Sequence, residues 1–218
     1  MQLAGLLHGR PREQQATDSD RSYGRRLSSL SILTALDVQL DVIMSAALLG
    51  TREAGIVAVA RMIPTIPRRI WEVAYQPFFV KMAGDLAGAR AVVNRYRLPL
   101  VGAFAAVAVV GIATAPFVIP ALFGSSFQEA VLLTQFLLAA NTVRVIAFLD
   151  EIQMKAVGDA RRLSAIYVVL PLVSLVTLPP LVSLFGISGV GVRALVAASV
   201  YAVLTYVLGR RTAASPAT

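Results

Sequence analysis

The chain has 218 residues, of which 57% are hydrophobic and 15% charged, with no cysteine and one histidine, and its mean hydropathy is +0.72. Soluble domains average about 45–50% apolar and about 25% charged residues, so a soluble fold is excluded, and with His8 alone so are disulfide frameworks, zinc clusters and Ser-His-Asp triads. The net charge of +8 gathers between the apolar runs, which points to cytoplasmic loops and anionic membrane lipids as partners and not to nucleic acid.

Residues 1–26 form a polar tail with Arg10, Arg12, Arg21, Arg25 and Arg26. Its MQLAGLLHG start is too short for a signal peptide and lacks the basic flank. Apolar segments follow at 27–49, 54–80, 98–122, 127–149, 163–183 and 188–208, most with roughly the 20 residues a bilayer-spanning helix needs. The second is more polar and is interrupted by Pro64 and Pro67. Residues 209–218 are a second tail. The expected fold is all-α, an integral membrane bundle of six transmembrane helices over 27–208.

Basic residues alternate from loop to loop. Lys81, Arg90, Arg95 and Arg97 follow the second segment, Lys155, Arg161 and Arg162 the fourth, and Arg210 and Arg211 the last, whereas the intervening turns hold only Arg52. The positive-inside rule then places both termini in the cytoplasm of a multi-pass protein of the inner (plasma) membrane. Asp150, Glu151 and Asp159 are expected to be solvated in an inner loop, and Tyr201 and Tyr206 to anchor at the interface. Gly186, Gly189 and Gly191 in FGISGVGV have no preceding strand and are expected at a helix turn, not at a phosphate loop. No cofactor motif is present.

The first two segments carry charge at membrane depth. At about 1.5 Å per residue, Asp41 lies roughly 13 Å and Asp37 roughly 20 Å from the turn at Gly50, while Arg61 lies roughly 12 Å and Arg68 roughly 22 Å down the second helix. Equal depths and shared helix faces predict two pairs, Asp41 with Arg61 and Asp37 with Arg68. Two readings are open: ion pairs that fix one helix on the other, or the wall of a water-filled cavity. Arg69, Glu72 and Gln76 continue the polar character in PRRIWEVAYQ, and the two prolines free backbone carbonyls that lipid does not satisfy. Arg193 and Arg144 each either snorkel to the nearer headgroups or point inward. Pointing inward, they join Arg61, Arg68 and Arg69 in a cationic cavity for an anionic, phosphate-bearing substrate, with Asp37, Asp41 and Glu72 balancing charge or coupling an ion.

The stretch from Leu36 to Asp85, with GIVAVAR at Gly55–Arg61, resembles the start of the second lobe of the polysaccharide-biosynthesis membrane proteins, the O-antigen flippase-like family of the multidrug/oligosaccharidyl-lipid/polysaccharide superfamily. ALFGSSFQEA (121–130) resembles that family's outer turn, and FGISGVGVRALVAASVYAVLTYVL its last helix pair. The resemblance covers about residues 30–208. It implies alternating access between two helical lobes and an anionic polyprenyl-linked sugar lipid as substrate. Family members have two lobes, and this chain resembles the C-terminal one alone. The expectation is therefore half of a flippase-like exporter of lipid-linked oligosaccharide or polysaccharide precursors, completed by a homodimer or a separate first-lobe protein. The alternative is a truncated, non-transporting scaffold. An enzyme is not expected, because the outer turns are too short to hold catalytic loops.

Overall fold

Apolar runs of this length can satisfy their own backbone in hydrocarbon only as helices or as a closed barrel, and the period here is helical. A computed structural model describes residues 39–74, 86–156 and 159–214, and these are helical almost throughout, with no strand among them. Six helices follow in order: α1 (Gln39–Leu48), α2 (Thr51–Ala74), α3 (Leu86–Phe123), α4 (Glu129–Ala156), α5 (Ala160–Phe185) and α6 (Ser188–Ala214), with a short 3-10 turn at Ser125–Phe127 before α4. Four contain stretches long and apolar enough to cross a membrane: Arg97–Phe123, Glu129–Lys155, Arg161–Phe185 and Ser188–Gly209. In α2 the charges Arg61, Arg68, Arg69 and Glu72 dilute an otherwise sufficient length of 24 residues.

Consecutive helices run in opposite directions. The turns at Gly50, Gly124 and Gly186 share one end of the bundle, and each has positive φ (115°, 90° and 58°), a conformation that a side chain disfavours. At the other end Asp159 caps α5, accepting a hydrogen bond from the Arg162 amide at 3.2 Å and pairing with the Arg162 guanidinium at 3.1 Å.

Helix α4 is the axis. At the glycine-turn end, Ile56, Val57 and Ala60 of α2 pack with Ile119 of α3, Leu133 and Leu137 of α4, and Val190, Ala194 and Ala198 of α6. At the other end Ala147 and Met154 of α4 meet Leu163, Ile166 and Leu170 of α5 and Tyr201 of α6. Helices α5 and α6 approach so closely that a Cβ on Gly189 would lie 2.2 Å from the Leu181 carbonyl oxygen, which bears out small residues at a helix turn as the reason for that glycine. Val109, Val110, Phe117, Leu172, Val176 and Val203 are exposed on the outside of the bundle, an apolar belt suited to lipid.

Two helices run past their apolar windows. α3 begins at Leu86, so Arg90, Arg95 and Arg97 are helical rather than loop residues, and α4 continues to Ala156, taking in Asp150, Glu151 and Lys155. The hydropathy window marks where side chains stop being apolar, whereas an established helix propagates at one backbone bond per residue.

Polar side chains of α4 mend breaks in its neighbours. Pro64 has no N–H to give the Ala60 carbonyl, and the Thr134 hydroxyl reaches that oxygen at 3.3 Å while also lying 2.7 Å from its own Ala130 carbonyl. Pro116 likewise deprives Ile112, and Gln135 Nε2 donates to the Ile112 oxygen at 3.1 Å. Asn141 Nδ2 donates to the Pro64 oxygen at 3.0 Å, a carbonyl that no proline deprives, so this bond fastens α4 to α2 and is not a repair. Proline becomes tolerable in a membrane helix when a neighbour satisfies the freed carbonyl.

Candidate functional site

Asp41 stands on the inward face of α1, four residues from the equally buried Ser45. Arg61 of α2 donates to Asp41 Oδ2 at 2.6 Å, the pair expected from equal depth. Arg193 of α6 points inward. Its Nη2 lies 3.1 Å from Asp41 Oδ1, and its Nη1 donates to Oδ2 at 3.3 Å. The Arg193 and Asp41 side chains are 2% and 1% exposed, so this contact is desolvated, while Arg61, at 22%, reaches toward open space. One carboxylate thereby ties α1, α2 and α6 together.

The acid of the other expected pair, Asp37, is not among the described residues. Arg68 donates to Glu72 at 2.9 Å, one turn along its own helix. Arg69 joins the same carboxylate at 3.2 Å. An i,i+4 partner on the same helix is held in range by the backbone itself.

Beside the Asp41 network lies a cavity of about 70 Å³ lined by Asp41, Arg61, Arg68, Asn141, Arg144 and Arg193, with Pro64, Thr65, Leu137, Ala140 and Ala194 completing its wall. That is room for several waters or one phosphate-sized group. Of the eight residues singled out as site candidates, the structure brings five to this cavity: Asp41, Arg61, Arg68, Arg144 and Arg193. Arg69 turns outward, with its side chain 76% exposed, and Glu72 sits between it and Arg68. Among the described residues, four guanidiniums and one carboxylate line the space. Arg68 is also held by Glu72, and guanidiniums gathered in this way suit the oxygens of a phosphate or carboxylate.

A second buried polar cluster lies toward the opposite end. Glu151 is 3% exposed. It accepts hydrogen bonds from the Tyr167 and Tyr201 hydroxyls and pairs with Lys155 at 2.5 Å. Lys155 also lies over the Phe148 and Tyr167 rings, 5.8 and 5.9 Å from their centroids. This corrects two expectations: Glu151 is not a solvated loop residue, and Tyr201, 5% exposed, is not an interface anchor. The physical reason is a stripe, Ala194, Ala197, Ala198, Tyr201 and Thr205, that forms the buried face of α6 and carries Tyr201 inward with it. Asp150 is also taken up, by Arg97 at 2.7 Å. The available signal was the spacing Asn141, Arg144, Glu151, Lys155, which keeps to one face of α4. Arg144 stands between the clusters and lines the cavity.

No family model matches the chain, and neither a curated protein nor a solved structure matches it. The described residues are all-helical, with four candidate membrane-spanning helices among them, compatible with a multi-pass membrane protein, and they form a cationic cavity at the junction of α1, α2, α4 and α6.

Proposed function

We propose that this chain is a transport protein, one lobe of a flippase-like exporter whose cationic cavity receives the phosphate-bearing headgroup of a polyprenyl-linked oligosaccharide or polysaccharide precursor. The observation that carries the reading is the set of four guanidiniums around one buried carboxylate. Guanidiniums gathered in one cavity offer the forked donors that the oxygens of a phosphate group accept, and Arg68 and Arg61 reach it from the partly exposed side. In this reading Arg61, Arg68 and Arg144 contact the headgroup, and Arg193 holds Asp41 so that Arg61 faces the cavity. The glycine-turn end is extracytoplasmic, both termini are cytoplasmic, and the membrane is the inner (plasma) membrane. A single lobe forms one wall of a transport path, so a second copy or a separate first-lobe protein supplies the other.

The test is transbilayer movement of a fluorescent polyprenyl-diphosphate lipid in proteoliposomes, scored by its accessibility to an impermeant quencher. Movement that exceeds protein-free vesicles and falls in Arg144→Gln and Arg68→Gln supports the reading. No movement, together with no retention of that lipid in native mass spectrometry, sinks it.

A second reading has its own observation. The Arg193–Asp41 contact is almost fully desolvated, as befits a clamp between helices in a non-transporting scaffold. Replacing Asp41 and Arg193 together by leucine separates the two: a folded variant with unaltered movement would reduce this pair to structure.

A further inference from the structure

Burial changes abruptly along α2. Before the first proline, Ala54, Ile56, Val57, Val59 and Ala60 are buried in the core. After it, none of the described residues from Thr65 to Val73 is buried, and Ile66, Ile70 and Val73 are 61%, 66% and 67% exposed. The polar contacts show the same break. Thr65 donates to the Arg61 carbonyl at 2.7 Å, and Arg68 and Arg69 pair with Glu72. All three contacts stay inside α2. The attachment to α4 is at the joint itself, where Asn141 donates to the Pro64 carbonyl. Pro64 and Pro67 each remove an amide from the helix ladder, so consecutive turns lack a stiffening bond.

We propose that the segment 65–74 is a hinged arm that pivots at Pro64–Pro67 against the fixed half of α2 and opens or covers the cationic cavity. Thr65 and Arg68, on the arm, form one wall of that cavity, while Asn141 and Arg144, on the core helix α4, form the facing wall. An outward swing removes the Arg68 guanidinium and widens the opening; an inward swing encloses an anion between Arg68 and Arg144. The Arg68–Glu72 pair travels with the arm, so the motion breaks no ion pair. Its rigid half stays clamped through Arg61 and Asp41. What the cavity admits rests on the proposed function; the pivot itself rests only on burial and backbone.

The chain has no cysteine, so introduced labels are unique. Val73→Cys with Val168→Cys reports the arm against α5, and Thr51→Cys with Leu184→Cys reports the fixed half; all four positions are exposed. The experiment is pulsed EPR on both nitroxide pairs, with full-length protein in lipid nanodiscs. The arm is about 14 Å long from Pro64 to Val73, so a swing of about 20° moves its label by roughly 5 Å. The expected result is a broad or double distance distribution for the 73–168 pair, a single narrow one for 51–184, and collapse of the first to one narrow peak in Pro64→Ala/Pro67→Ala. A narrow 73–168 distribution in the parent sequence, as sharp as 51–184, overturns the proposal; so does a broad one that the proline replacements leave unchanged. Addition of inorganic pyrophosphate serves as the separate arm: narrowing of the 73–168 distances supports closure on an anion. A hinge that persists without any response supports the pivot and counts against phosphate as the cavity's ligand.

Discussion

Arg193 and Asp41 stand 152 positions apart in the chain and meet in the buried centre of the bundle. Their removal is predicted to be asymmetric with their removal together. Asp41→Leu leaves two guanidiniums without their carboxylate, and Arg193→Leu leaves the carboxylate without its most buried partner; breaking a buried pair from one side costs about 3–5 kcal/mol. The double Asp41→Leu/Arg193→Leu removes both charges and should recover much of that loss, since Arg61 is partly exposed. Unfolding by denaturing detergent, followed by circular dichroism, measures all three. A double variant as unstable as the sum of the singles would mean that the two residues do not act as a pair.

The proline repairs give a sharper cycle. Thr134→Val leaves the Ala60 carbonyl with neither an amide nor a hydroxyl donor, and the expected loss is about 1 kcal/mol, the scale of interhelical hydrogen bonds in membranes. Pro64→Ala restores the amide, so Thr134→Val should be nearly neutral in that background. Gln135→Leu with Pro116→Ala should repeat the pattern. Additive losses in both cycles would show that the side chains serve some other purpose than the carbonyls they reach.

These pairings mark where the sequence is legible. The all-helical class follows from long apolar runs with helical period, and the Asp41–Arg61 bond from equal depth on neighbouring helices, because depth is a local quantity fixed by counting residues from a turn. Arg193 had two open directions, since a single arginine near a helix end gives no rotational reference. The Asp37 half of the other expected pair lies outside the described residues; Arg68 meets Glu72, an acid on the same helix that needs no tertiary arrangement to reach it. Glu151 and Tyr201 were misplaced for a related reason. Their burial is decided by how α4, α5 and α6 meet, and a hydropathy window that ended at residue 149 put the carboxylate outside the helix. The repairs by Thr134 and Gln135 were the least legible, although a polar side chain in one apolar helix and a proline in its neighbour is a pattern that counting can find.

In the Glu151 cluster, Tyr201→Phe should destabilise by about 1.5–3 kcal/mol, because it removes a hydroxyl donated to a buried, charged acceptor. Tyr167→Phe should cost less, since Tyr167 is only partly buried and water can replace its hydroxyl. Thermal unfolding monitored by size-exclusion chromatography ranks them. Equal effects, or the reverse order, would show that burial does not set the strength of these bonds.

Two glycines offer a contrast that depends on geometry alone. Gly189→Ala would place a Cβ 2.2 Å from the Leu181 carbonyl oxygen, which is backbone and cannot rotate away, so α5 and α6 must separate. Overpacking of this kind costs typically about 1–3 kcal/mol. A Cβ on Gly55 meets nothing within 4 Å, and alanine there should be neutral or stabilising by up to about 1 kcal/mol, the gain for replacing glycine inside a helix. The Gly55 result also bears on the GIVAVAR stretch. If Gly55→Ala destabilises the protein as much as Gly189→Ala, then the outer face of α2 is covered by a segment outside the described residues or by another polypeptide, and cross-linking from Gly55→Cys would tell which.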